Sequence, residues 1–218
     1  MIKEIATVAG ETVVGEKVKD IETSRITSIE AANRILKNMY DKLGEQNIED
    51  KIFNYTDEDF SNVFEFDNKI DELIQQFSEE KWNGKTNTEK KNLIHDISNS
   101  ISEKLDIEEN VDVEFFFDDY ENCGCFDERN RCIWINENTF TNPKEVLDTI
   151  SHELKHVYQR VCADRNETFL DAVYKYNFEH YISPVEDRFG NWVNYMEYYN
   201  QFIEAEARAF AKQFVERI

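Results

Sequence analysis

The segment Thr141–Cys162, TNPKEVLDTISHELKHVYQRVC, constrains the fold more than any other, because its first residues fix where a helix begins and the rest fix which faces that helix can use. Asn142 suits the N-cap, Pro143 the first helical position and Glu145 the third position beyond the cap, and these three start signals agree. Leu147, Ile150, Leu154, Val157 and Val161 fall within about 80° of one another on a helical wheel, so the helix has a stripe to bury and should run to about Cys162. Beside that stripe sit His152, Glu153 and His156, within the run His-Glu-Leu-Lys-His.

Two imidazoles at i and i+4 project about one turn apart, close enough to share a tetrahedral zinc ion. The Glu of the motif lies about 100° around the helix, beside the metal, where it can take the proton of a water that the ion acidifies. Four His and 29 Glu in 218 residues would produce such a motif by chance in about one chain in a hundred.

A catalytic zinc also needs a third protein ligand and one open position. The run FIEAEARAFA, residues 202–211, offers Glu204 and Glu206. Glu204 shares its arc with Ala207 and Ala211, small residues that let two helices approach closely, whereas Glu206 falls on the opposite flank near Phe202 and Phe210. Helix geometry therefore favours Glu204 and leaves Glu206 open. His180 is a further candidate ligand, set in irregular sequence. Tyr198, Tyr199 and His180 are the nearest candidates for a donor to a developing oxyanion. Lys155 and Gln159 read as solvent or rim residues, Tyr158 as structural, and Trp192 and Phe210 as core. Trp134 is expected on a hydrophobic face or against a substrate.

The rest of the chain is organised by period. Residues 1–27 are a polar lead-in. Residues 28–110 form a helical layer: one helix from Ser28 with Ala32, Ile35, Leu36, Met39, Tyr40 and Leu43 on its stripe and Gly44 as its stop, a second over about Asp57–Trp82, and a third over about Thr88–Leu105. At VDVEFFFDD the period changes to two, and RCIWIN reads as the returning strand of a hairpin within 111–140. A loop of turn formers, 120–130, lies between them. After the histidine helix a last helix of about 25 residues is expected from near Asn191, with Trp192, Met196, Tyr199, Ile203, Ala207, Phe210 and Phe214 on its stripe. With only two Pro and six Gly and no linker, residues 28–218 read as a single domain.

Charge narrows the partners. Lys and Arg number 25 against 46 Asp and Glu, a net charge of −21. The excess is even, 14 basic to 25 acidic side chains over residues 1–110 and 11 to 21 over 111–218. Such a surface repels phosphate backbones and anionic lipid, so neither nucleic acid nor membrane is expected as a partner, while a basic protein or peptide is favoured. No run of about 18 apolar residues occurs, and the N-terminal stretch carries charge too early for a signal peptide. Cytoplasmic location is the default expectation, with export by a route that reads no N-terminal signal left open. Cys123, Cys125, Cys132 and Cys162 are expected as thiols, since a 25.9 kDa chain needs no disulfide to fold, and the clustered first three lack the paired spacing of a zinc ribbon.

A strand, an edge strand, an HExxH helix and then a helix with E-x-E-A-x-x-F-A resemble the gluzincin metallopeptidases. The resemblance is to the small minigluzincin kind that includes the ImmA/IrrE-type peptidases. The segments IWINENTF, NPKEVLDTISHELKHVYQ and YYNQFIEAEARAFA also resemble metallopeptidase domains of bacterial polymorphic toxins and mobile elements. The likeness covers roughly Leu93–Phe214. It implies an α+β, zincin-like fold, mostly helical with a small antiparallel sheet next to the active-site helix. It implies a zinc-dependent peptidase, a toxin effector or a regulatory protease, with His152, His156 and Glu204 as ligands and Glu153 as general base. It further implies that RCIWIN is the sheet edge to which an extended substrate adds its backbone. Relatives often place an acidic or amide residue four positions after the ligand Glu, bonded to a zinc histidine, and this chain has Arg208 there. Asn200 or Asp148 would then have to supply that bond. The competing reading is a zinc-binding acidic module without turnover that acts on a basic partner. The intact Glu153 argues against it.

Overall fold

The computed structural model describes Phe60 and residues 64–108, 111–118 and 123–218. The expected lead-in, the Ser28 helix and the start of the Asp57 helix lie outside the described residues. The chain is a mixed α+β protein that divides into two compact units, Phe64–Tyr158 with Glu206–Ile218, and, among the described residues, Phe60 with Gln159–Ala205.

The first unit begins with α1 (Asn68–Ile74), where the Asp67 carboxylate accepts the Ile70 N–H as N-cap. A 3₁₀ turn, Gln75–Phe77, and the short α2 (Glu79–Asn83) follow, so the long helix expected over 57–82 is broken. The break lets Trp82 turn inward, where its indole N–H donates to the Phe140 carbonyl at 2.7 Å and its ring stacks on Phe77. Helix α3 (Asn87–Lys104) is opened by a capping box between Thr86 and Glu89 and buries Leu93, Ile94, Ile97 and Ile101.

Three strands form one sheet, β1 (Asp112–Phe116), β2 (Gly124–Asp127) and β3 (Cys132–Asn136), in the order β1-β3-β2. This corrects two expectations. The sheet is mixed, not antiparallel: β3 pairs with β1 in parallel and with β2 in antiparallel register. RCIWIN is therefore the central strand, not an edge, and the hairpin joins β2 to β3. The turn is folded by Asp127, whose carboxylate accepts the Arg129 and Asn130 N–H groups, and Arg131 leaves it in a left-handed conformation, φ 53°. Buried Asn136 holds the end of β1 beside β3, accepting the Asp118 N–H and donating to the Asp118 carbonyl. Chain order alone suggests a two-stranded hairpin; this side-chain bridge and the insertion of β2 produce the parallel pair instead.

A 3₁₀ segment, Glu137–Thr141, leads into α4 (Pro143–Arg165), the helix the sequence predicts. Asn142 accepts the Glu145 N–H as expected of its cap, and Val146, Leu147, Ile150, Leu154 and Val157 are buried. The C-terminal turns of the chain pack in this unit through Phe210 and Phe214 against Phe64, with the Phe64 N–H donating to Gln213.

In the second unit α5 (Phe169–Glu179) opens on a Thr168/Asp171 capping box that Arg165 reinforces by pairing with Asp171. The expected 25-residue terminal helix is two pieces, α6 (Tyr195–Tyr199) and α7 (Phe202–Val215). The break is made by Asn200, which caps α6, and by Gln201, whose amide binds the Ile182 backbone and the Tyr198 carbonyl of α6. Residues 186–192 fold into a hairpin turn instead of helix, with Gly190 at φ 80° and Asp187 accepting the Phe189 and Asn191 N–H groups. Trp192 and Met196 are accordingly exposed, not core, while Ile203, Ala207, Phe210 and Phe214 keep the buried stripe. No helix among the described residues is long and apolar enough to cross a membrane.

Candidate metal centre

The pitch of helix α4 brings His152 and His156 together, and their Nε2 atoms stand 3.0 Å apart. Neutral imidazoles so placed can put only one N–H between the two nitrogens, so two lone pairs directed at one point suit a shared cation. The ligand atoms of His152, His156 and Glu204 all lie within 4.8 Å of one another. Donors about 2.0–2.2 Å from a tetrahedral zinc stand about 3.3–3.6 Å apart. The imidazole pair is within a few tenths of an ångström of that range, and no separation exceeds it by more than about 1.5 Å. Two nitrogens and a carboxylate oxygen, with His156 and Glu204 buried and His152 half-buried, are a donor set that fits zinc.

Glu206 is not in this cluster. Its carboxylate takes an ion pair from Lys155 at 3.1 Å, and both side chains are almost fully buried. Lys155 also lies over the faces of Tyr158 and Phe210, 4.6 and 5.7 Å from their centroids. The expectation of a solvent-facing Lys155 is thus overturned, because the aromatic faces and the Glu206 charge together replace its hydration. Gln159 is likewise buried, donating to the Ile203 carbonyl at 3.1 Å.

Glu204 is held by a residue the sequence reading missed. The Tyr181 hydroxyl donates to Glu204 Oε1 at 2.8 Å, while the tyrosine ring remains partly exposed. Burial, then the Glu204 charge and the neighbouring Tyr198, push the phenol far above its ordinary range, so it stays a protonated donor. Gln201 sets Tyr181 in place: its amide accepts the Ile182 N–H and donates to the Ile182 and Tyr198 carbonyls. The irregular run YISPVEDRFG from Tyr181 gives no local sign of this role.

The other candidates stand as follows. His180 ends α5, exposed and stacked on Tyr176, with Nδ1 at 2.9 Å from the Tyr176 carbonyl. It is not a member of the cluster. Tyr198 packs edge-on to Tyr181 and Tyr199 against Tyr195, both half-buried. Asp148 is exposed one turn before His152, and Asn200 caps α6. Glu153 is half-buried on α4.

Strand β2 runs beside this helix. A Cβ at Gly124 would stand 2.7 Å from Thr149 Cγ2 and 2.5 Å from the Trp134 carbonyl, so only glycine lets the strand lie this close. On β2 the Cys125 thiol is raised by burial first and then by the Glu153 charge, which places that carboxylate near the strand. Cys123 donates to Glu145 and is pushed up to about 11, by burial first and then by that bond. All four cysteines are thiols, as expected.

Comparison with protein-family models, curated proteins and solved structures returned no match.

Proposed function

We propose that the chain is a zinc-dependent peptidase of the gluzincin type on a zincin-like fold, with His152, His156 and Glu204 as ligands and Glu153 as general base. The observation that carries this reading is the meeting of three metal donors, two of them on the helix whose motif also carries Glu153, a residue that a purely structural site has no chemical use for. A zinc ion bound there would polarise the scissile carbonyl and lower the pKa of water. Glu153 then accepts a proton and delivers it to the leaving amine. Tyr181 keeps one Glu204 oxygen bonded, which frees the other for the metal. It also puts a protonated phenol in hydrogen-bond contact with Glu204 itself. Among the described residues β2 is an outer strand of the sheet and lies beside α4, and an extended substrate would add its backbone there. A net charge of −21 favours a basic polypeptide.

The test is Glu153→Gln assayed on a protein or peptide library. Cleavage should fall about 10²–10⁴-fold with zinc content unchanged. Zinc binding without cleavage by the wild type would support the non-catalytic module instead. Growth arrest on expression that Glu153→Gln abolishes would mark a toxin effector, and its absence a regulator.

A further inference from the structure

We infer that the Lys155–Glu206 pair is the register clamp of the metal centre: it fixes how α4 and α7 lie along each other, and thereby where the Glu204 carboxylate stands against the two imidazoles. The inference rests on the metal-centre reading above and adds two positioning residues to it.

The side chains are 4 and 1 per cent exposed and their charged atoms stand 3.1 Å apart. A pair so deeply buried is poor evidence for stability, since apolar residues of like volume hold two helices as well or better. What the pair adds is intolerance of slippage. Near it on the two helices the buried residues are small or aliphatic, Leu154 and Val157 on α4 and Ala205, Ala207 and Ala211 on α7, with the Gln159–Ile203 hydrogen bond as a second polar tie. Small and aliphatic faces of this kind permit several axial offsets. A shift of one turn, about 5.4 Å, would part the buried ammonium from the Glu206 carboxylate, which the interior does not tolerate. Lys155 directly precedes His156, and Glu206 lies two residues beyond Glu204 on an unbroken helix. Whatever fixes the first pair of residues fixes the second. The Tyr158 and Phe210 faces hold the ammonium from the sides, so its position is determined in more than one direction.

The test is the double variant Lys155→Met/Glu206→Leu, which removes both charges at similar volume. Zinc affinity is measured by competition with a chromophoric chelator, cobalt(II) absorption reports the coordination geometry, and thermal unfolding is followed with chelator present. The clamp predicts a metal-free protein that unfolds within a few degrees of wild type, binds zinc at least about tenfold more weakly and shows an altered cobalt spectrum. A double variant with wild-type zinc affinity and spectrum overturns it, because a merely structural pair would leave both unmoved. Should the double variant not fold, Glu206→Asp decides, since it keeps the charge and shortens its arm: weaker zinc binding in a folded protein supports the clamp, and unchanged binding overturns it. Wild-type protein that takes up no zinc overturns the metal-centre reading itself, a result visible before any variant is made.

Discussion

The two helices that carry the candidate ligands place them by different means. On α4 the imidazoles meet because an i, i+4 spacing makes them meet, and their nitrogens stand 3.0 Å apart. On α7 the carboxylate of Glu204 is placed by partners distant in sequence: Tyr181 bonds it from 23 positions away, and Gln201 holds Tyr181 through Ile182. Half of such a centre is therefore a local property of one helix. The other half is only as good as its supports.

That difference can be broken or sharpened by substitution. The largest effect is expected from Tyr181→Phe, which removes one hydroxyl from α7's side of the centre and should weaken zinc binding about 10–100-fold with little change in melting temperature. Gln201→Ala should weaken binding similarly but also lower stability, because it strands the Ile182 backbone groups. Equal zinc affinity in Tyr181→Phe and wild type would mean that Glu204 needs no support, and the contrast between the helices would fail.

Gly124→Ala probes the other side. It drives a methyl into the Trp134 carbonyl and Thr149, so it should cost about 1–3 kcal/mol in a denaturant titration. Zinc affinity should nevertheless stay within about threefold, since the histidine spacing is internal to α4. A large loss of zinc binding would show that α4 also depends on its neighbours.

What was legible in the sequence follows the same line. The α4 start signals, its buried stripe and the histidine pair are all encoded within 23 consecutive residues, and Glu204 was favoured over Glu206 because Ala207 and Ala211 lie on its arc. Tyr181, Gln201 and the burial of Lys155 were not legible, because each depends on a partner brought close only by folding. Strand β2 lies in a stretch that the sequence presents as loop, since Gly124, Cys125 and Asp127 have poor strand propensity and pair because β3 offers an edge. The parallel β1–β3 pairing was hidden for the same reason: nothing local announces that Asn136 will bridge to Asp118.

The smallest effect concerns Cys123, a reporter on the first turn of α4. Its raised pKa keeps the thiol protonated in the folded chain, so alkylation should remain slow until the pH nears about 11. Because the folded value lies above the unfolded one, this group's contribution to stability is complete below about 9 and is lost as the pH rises through about 11. Glu145→Gln should bring the onset of alkylation to lower pH, and an unchanged profile would show that the Glu145 contact has no effect on the thiol.

The most direct test of the metal centre is zinc bound per chain, measured by elemental analysis after dialysis, in wild type and in His152→Ala, His156→Ala and Glu204→Ala. The account predicts close to one zinc in the wild type and less than about a tenth of that in either histidine variant, with Glu204→Ala retaining zinc only weakly. A wild type that cannot be loaded, or a His156→Ala protein that binds zinc as tightly as wild type, would contradict it.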